Sequence, residues 1–536
     1  MNHNNIIRCE KIDTENININ DIENTTDKNI IERYLSDESA IFKGNASKIY
    51  FPKNELELIV ILKEANKLKI HVTVSGAGTG LNGARVPFGG IIISTENMIT
   101  IKHELKNKEQ LIEWEENGKN YSIIIGSSDN SVYYAIVPPG LPLYILNKMI
   151  EPMNLFYPPQ PTEKGSYIGG NVATNASGAR TYYYGTTREW INRLKIILPK
   201  GDLIDVKRGW YRSWNNQFNI LTNNGTELIL NLFSHATPDV KKNVAGLYIK
   251  PDMDFIDLFI GSEGILGIFT EIELKLIKQP GYTSYIIADF INHIESMKAI
   301  ANVKKMALSN DGSNITVIEF FDENSIDFIK KFSNPVIPNI SGSVVIFEIQ
   351  SDDEDKLYDR LTHLNTILNK YGIINSYVAT EYGHKKKIEE LRHSLPDSIN
   401  KFLRRYGTNK IATDIAVPDK NLYKMYSYYE EVGSMINIPY VIYGHIGDNH
   451  LHFNFLPKNR DEVEKASKAI VLLLKKAVSF GGTVTAEHGI GKKNLLSFMY
   501  DKNTIEKMKI IKKTIDPDFI LNKNNIFGDE NEKPYL

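Results

Sequence analysis

Three histidines fall within eight residues in the run Tyr443-Gly444-His445-Ile446-Gly447-Asp448-Asn449-His450-Leu451-His452-Phe453-Asn454. A second run follows, Thr483-Val484-Thr485-Ala486-Glu487-His488-Gly489-Ile490-Gly491. Neutral imidazoles with a carboxylate are the usual ligands of zinc or another divalent first-row metal. If 450–454 is a strand, alternation puts His450, His452 and Asn454 on one face. His445 can join them from the preceding loop, whereas Glu487 and His488 must be delivered from elsewhere in the chain. Taken singly, each histidine reads more simply as a hydrogen-bonded structural residue. Four of the chain's twelve histidines in or near one place favour a functional cluster, with His450 its weakest candidate ligand.

Three glycine-rich segments offer a different chemistry. Ser75-Gly76-Ala77-Gly78-Thr79-Gly80-Leu81-Asn82-Gly83 follows a short β-rich run. Glycines in series let backbone N–H groups approach a bound anion, so this loop can wrap a pyrophosphate. No Gly-Lys-Ser/Thr follows, and the Gly-x-Gly-x-Gly spacing is not the nicotinamide fingerprint. An ordinary set of tight turns is the competing reading for one such loop. It loses ground because Ile168 to Gly178 is also small and almost uncharged, and Gly261-Ser262-Glu263-Gly264-Ile265-Leu266-Gly267 adds a third segment. An extended, flat cofactor could lie along such backbone.

The elements that must hold these residues are legible in outline. Asn54 to Leu68 reads as an amphipathic helix capped by Asn54, with strands at Ile70–Val74 and Gly90–Ser94 around the first glycine loop. Glu271–Ile277 reads as a strand, and Pro280-Gly281 as a domain break. Beyond it, strands at Ile315–Phe321 and Val344–Ile349 alternate with Lys/Glu-rich helical segments, an α+β pattern. The expected organisation is a polar N-terminal arm over 1–45, a cofactor-binding domain over 46–280 and a second domain over 281–528.

Bulk composition excludes several classes. The chain has 536 residues, 42% hydrophobic and 24% charged, with a formal net charge of -2, which gives no footprint for nucleic acid. One cysteine, Cys9, builds no disulfide, Cys-based zinc site or iron–sulfur cluster. No apolar run reaches the roughly 20 residues that cross a bilayer, and the N-terminus lacks the pattern of a signal peptide. A cytoplasmic protein is expected, with peripheral membrane attachment left open.

On Ser75 to Gly83, Pro161 to Gly178, Lys242-Asn243 with Gly246, Gly261 to Gly267, Gly444 to Asn454 and Ala486 to Gly491, the sequence resembles the FAD-linked oxidases of the vanillyl-alcohol oxidase superfamily. The likeness runs over about 46–527, within the branch of D-lactate dehydrogenases, glycolate oxidase flavin subunits and D-2-hydroxyglutarate dehydrogenases. It implies a two-lobed PCMH-type FAD-binding domain followed by an α+β cap domain. By that resemblance Ser75, Gly76, Ala77, Gly78, Thr79, Gly80 and Asn82 hold the pyrophosphate of FAD. Pro161, Thr162, Gly169, Gly170, Thr174, Asn175, Gly178 and Ile268 make the other flavin contacts. It implies His445, His452 and Glu487 as ligands of a divalent metal, zinc or manganese. His488 becomes the base beside the flavin, Arg392 the partner of the substrate carboxylate, and Asn454 a further substrate contact.

The resemblance further implies oxidation of a small D-2-hydroxy acid to the keto acid. Electrons would pass to an electron-transfer flavoprotein, a quinone or a cytochrome and not to NAD, and a homodimer is compatible with it. Three departures bear on this. Asp448-Asn449-His450 stands where many relatives have Asp-Gly-Asn. Ala412-Thr413-Asp414 replaces a lysine of the hydroxyglutarate enzymes, which favours lactate or glycolate over a dicarboxylate. No His or Cys in the pyrophosphate loop is placed to tether flavin, so non-covalent binding is expected. The alternatives are a flavin-dependent alkyl transferase of the ether-lipid synthase type, a flavin subunit of a larger electron-transfer complex, and a metal-binding hydrolase without flavin.

Overall fold

The computed structural model describes residues 6–129, 132–307, 313–333, 340–380 and 382–529. Asn54 starts the helix Glu55–Lys67 by accepting a hydrogen bond from the Glu57 backbone N–H, with Glu55 and Glu57 in the first turn, where acids complement the positive helix end. Leu58, Ile59, Ile61, Leu62 and Ala65 form its buried face. They pack with Val72, Ile91 and Ile93 of a four-stranded sheet, ordered Asn24–Thr25, Lys48–Tyr50, Ile91–Ser94, Val72–Ser75. The last three strands run parallel, so Val72–Ser75 delivers the chain directly into the first glycine loop.

The second lobe is an antiparallel sheet. Its order is Leu203–Lys207, Ile191–Ile197, Ile268–Lys278, Val132–Val137, Lys119–Asp129, Glu109–Glu116, and Leu155–Phe156 also pairs with Ile268–Lys278. Pro280-Gly281 then lies between Ile268–Lys278 and Tyr282–Phe290, two strands that belong to different sheets.

That next sheet has the order Ile373–Ala379, Tyr282–Phe290, Ser343–Ser351, Ser313–Phe321, Tyr440–His445, His450–Phe455, Ile411–Ala412, and Ile415–Ala416 also pairs with His450–Phe455. Helices cover both faces. Tyr285 and Ile287 pack with Ile326 and Ile329 of the helix Glu323–Phe332 and with Ile388 and Leu391 of the helix Tyr382–Arg404. The alternating Ile286, Ala288 and Phe290 pack with Met297 and Leu361 on the other side, from the helices His293–Ala307 and Glu354–Leu368. The protein is therefore an α+β molecule with two lobes and a cap.

Both ends of the described chain are tied to the lobes. The polar composition of 1–45 suggests a loosely held arm; its described part is instead anchored. Ile6–Arg8 pairs with Gln217–Leu221, and Ile7, Ile22 and Ile31 are buried. Those isoleucines, spaced among Asn and Asp, supply apolar anchors that composition averages away. At the other end Leu521 pairs with Val72, and the Asn522 amide donates to the Glu263 carbonyl. No helix among the described residues is long and apolar enough to cross a membrane.

Candidate active site

Strand alternation presents His450 and His452 from His450–Phe455, and His445 closes the neighbouring strand Tyr440–His445, just before the tight turn that joins the two. The turn needs two left-handed residues. Gly444 has φ 135°, and a Cβ there would meet the His452 ring at 3.0 Å. Asn449 has φ 55°, the left-handed backbone a tight turn asks for and one that Asn readily adopts. Glu487 and His488 arrive on a separate turn, fixed by Asp414. Its Oδ2 accepts from Thr485 Oγ1 at 2.6 Å and from the backbone N–H groups of Ala486, Glu487 and His488 at 3.1, 3.2 and 2.9 Å. Its Oδ1 meets His450 Nε2 at 2.8 Å.

One carboxylate oxygen is the centre of the cluster. Glu487 Oε1 lies 3.6 Å from His445 Nε2, 3.6 Å from His452 Nε2 and 3.7 Å from His488 Nε2. The outer nitrogens are occupied: His445 Nδ1 by Glu319, and His452 Nδ1 by the Thr413 carbonyl at 3.2 Å. That pairing aims each Nε2 inward, as outer partners do for metal-binding histidines. Ligands at ~2.0–2.1 Å in tetrahedral array sit about 3.3 Å apart, so the observed spacings need little contraction to hold a divalent ion. His445, His450, His452 and Glu487 offer ligand atoms within 4.8 Å of one another, and so do Asp414, Glu487 and His488. The first group without His450 is the better donor set. His450 spends Nε2 on Asp414, and its Nδ1 faces Glu487 Oε2 at 3.8 Å, while both Asp414 oxygens are already taken.

Electrostatics follow from burial and pairing. Burial alone would raise the Glu319 carboxylate, but His445 and Arg392 outweigh it and hold it at about 2. Burial works against the His445 cation, yet Glu319 carries that ring up to about 9. Burial pushes His450 down to about 3 and lowers His488 as well, keeping both rings neutral. Burial would raise Glu487, but Lys242 and the histidines hold it well down.

Arg392, from the helix Tyr382–Arg404, reaches Glu319 Oε2 at 3.5 Å and so borders the cluster, with its buried Nε unpartnered. Asn454 donates to the His452 carbonyl at 3.1 Å and leaves a buried Oδ1 unpartnered. Both orphaned atoms are places for a ligand to bind.

The glycine loops meet this cluster from the lobes. Among the described residues, the backbone N–H groups of Gly76, Ala77, Gly78, Thr79 and Gly80 donate to no protein acceptor, an anion nest suited to a pyrophosphate. Arg85 packs beneath Gly78. Asn82 turns away from the nest: its amide donates to the carbonyls of His488 and Gly489, and its own carbonyl accepts from Lys492 N–H at 2.8 Å. In the second segment Gly170 faces open space, whereas a Cβ on Gly169 would strike Pro139 and one on Gly178 would strike the Gln160 carbonyl. Those two glycines are demanded by packing. Thr174 donates to the Gly170 carbonyl, and Asn175, at φ 49°, accepts from the Arg188 N–H. Pro161 is half-buried, Thr162 is exposed and Ile268 is buried in the apolar cluster under the first lobe. Ser177, inside this segment, donates to Glu487 Oε2 at 3.1 Å.

The family described as FAD linked oxidases, C-terminal domain, matches residues 282–526, and that described as FAD binding domain matches 46–115 and 124–207. The chain belongs to the FAD-linked oxidases. This FAD-linked oxidase is 28% identical over 93% of both chains to D-lactate dehydrogenase of Anaerostipes hadrus. It is 26% identical over 93% of both to "Glycolate oxidase subunit GlcD" of Bacillus subtilis. Identity is 24% to D-2-hydroxyglutarate dehydrogenase of Stutzerimonas stutzeri, over 94% of this chain and 96% of that one. A solved alkyldihydroxyacetonephosphate synthase shares the fold, with TM-score 0.65 and 17% identity over 93% of this chain and 81% of that one.

Glu319, Asp414, Ser177 and Lys242 are parts of the site that motif reading assigned no role. Glu319 had a signal: an acid inside the apolar strand Ser313–Phe321 needs a buried partner. Ser177 carried none, since its partner lies 310 positions away.

Proposed function

We propose that this FAD-linked oxidase converts a small D-2-hydroxy acid, of the lactate or glycolate size, to the 2-keto acid. The observation that supports this most is the convergence of three imidazoles on Glu487 Oε1 beside Ser177 of the flavin-side segment. When bound, FAD held by the 75–80 nest supplies the hydride acceptor, and a zinc or manganese ion held by His445, His452 and Glu487 polarises the substrate hydroxyl. Arg392 grips the substrate carboxylate, its guanidinium already oriented by Glu319. His488, kept neutral by burial, takes the hydroxyl proton at a ring nitrogen. Asn454, with its free Oδ1, steadies the substrate. Electrons leave to a non-NAD acceptor such as an electron-transfer flavoprotein, a quinone or a cytochrome.

Ala412-Thr413-Asp414, which by the resemblance replaces a lysine of the hydroxyglutarate enzymes, supports a monocarboxylate. Asp414 is occupied entirely within the protein and offers no cation for a second carboxylate. The test is an absorption spectrum before and after anaerobic D-lactate or glycolate, with and without a chelator. Flavin bleaching that is lost on chelation and restored by zinc or manganese is the expected result. Flavin left oxidised by every small 2-hydroxy acid, with metal present, overturns the reading.

A further inference from the structure

Lys242 is a buried ammonium that the chemistry above does not use. Its side chain is wholly shielded from solvent, and Nζ is 3.0 Å from Glu487 Oε2 and 3.6 Å from Asp448 Oδ2, and donates to the Gly178 carbonyl at 3.1 Å. Burying a lysine costs several kcal/mol unless charge partners compensate. Here the carboxylates of Glu487 and Asp448 supply that compensation. Ser177 Oγ donates to the same Glu487 oxygen at 3.1 Å.

A carboxylate oxygen has about two lone-pair directions. Lys242 and Ser177 occupy those of Oε2. The other oxygen, Oε1, is left facing the three histidine nitrogens. We infer that Lys242, with Ser177, is a positioning residue that makes Glu487 a one-oxygen ligand and ties the metal-binding carboxylate to the flavin-side segment 177–178. The inference rests on the metal reading proposed above. It gives the lobe a direct grip on a ligand carried by the cap. Both grips on Glu487 come from the lobe: Ser177 from the second glycine-rich segment, and Lys242 from a loop that also anchors to Gly178.

Removing an outer partner of a metal ligand typically lowers metal affinity about 10–100-fold. Without Lys242 the carboxylate is free to swing and bind through both oxygens, which raises the coordination number. Cobalt reports this in its visible bands, which are strong in four-coordinate sites and weak at higher coordination. Wild type, Lys242→Gln and Ser177→Ala are purified with FAD, and flavin absorbance confirms the fold. Each is titrated with Zn²⁺ against a chromophoric chelator and then loaded with Co²⁺. Wild type is expected to bind both ions. Lys242→Gln is expected to lose about 10–100-fold in Zn²⁺ affinity and to show weakened cobalt bands, and Ser177→Ala to lose severalfold. Wild type that binds neither ion sinks the metal reading itself. Wild type that binds, with Lys242→Gln equal to it in affinity and spectrum, overturns the inference while the metal reading stands. Should Lys242→Gln fail to fold, Ser177→Ala decides, and unchanged Zn²⁺ affinity in it overturns the inference.

Discussion

Replacing Asp414 by asparagine tests whether the Glu487-His488 turn is held by one carboxylate. Oδ2 takes four donors, Thr485 Oγ1 and the N–H groups of Ala486, Glu487 and His488, while Oδ1 takes His450 Nε2. An asparagine can give its carbonyl to the four donors and turn its amide toward His450. That ring must then accept at Nε2 and carry its proton on Nδ1, which faces Glu487 Oε2. The fold therefore survives, but four bonds lose charge assistance. A bond to a charged group is worth about 1.5–3 kcal/mol and a neutral one about 0.5–1.5 kcal/mol. Because the four share one oxygen the losses do not add, and the turn is loosened by about 2–4 kcal/mol. The His488 ring leans on the same carboxylate, with Nδ1 3.5 Å from Asp414, while Asn82 holds its carbonyl and His452 stacks on its face. A shift of about 1 Å in a reacting group costs about 100-fold in rate. The assay is single-turnover flavin bleaching by D-lactate, with FAD and zinc content measured in the same samples. A rate constant about 100-fold down with both contents near wild type is expected. A rate within about twofold of wild type refutes the idea that Asp414 positions the base.

Other perturbations separate packing from chemistry. Burial would raise Glu348, but its pair with Arg180 outweighs that and holds it at about 2. A depressed carboxylate stabilises fully above its ordinary value of about 4.3, and that contribution is lost as pH falls through about 2. The thermal midpoint of wild type should therefore drop more steeply over that acid window than that of Glu348→Gln; parallel curves count against the pair. Gly169→Ala, whose Cβ strikes Pro139, should destabilise the fold by about 1–3 kcal/mol in urea unfolding. Gly170→Ala should keep apo stability while weakening FAD, and unchanged FAD affinity removes Gly170 from the cofactor face. Glu319→Gln keeps an acceptor for His445 but loses the charge facing Arg392. It should raise KM for the 2-hydroxy acid about tenfold with kcat little changed; a fall in kcat alone contradicts an orienting role for Arg392.

What the sequence disclosed and what it hid divide along a physical line. Residues close in sequence declare themselves, because one strand or turn fixes their relation. Period-two spacing put His450, His452 and Asn454 on one face, and the strand His450–Phe455 carries them so. The Asn54 cap and the acids behind it marked the helix Glu55–Lys67 within a residue. The glycine run 75–83 marked a loop in which, among the described residues, the amides of 76–80 donate to no protein acceptor. What stayed hidden is pairing across the junction of lobe and cap. Ser177 and Lys242 meet Glu487 across 310 and 245 positions, and Glu263 receives the N–H groups of Ile490 and Gly491 across 227 and 228. No local periodicity records such distances. What the sequence does carry is the cost side of the same contacts. A glutamate in the strand Ser313–Phe321 and an arginine after Gly178 are charges set among small or apolar neighbours, and these, like Lys242, must find an opposite charge once buried. Lys242 finds Glu487, Glu319 finds Arg392 and His445, and Arg180 finds Glu348. Each of these pairings touches the histidine cluster or ties a lobe to the cap, because buried charge is tolerated where two surfaces meet and each supplies half of the compensation.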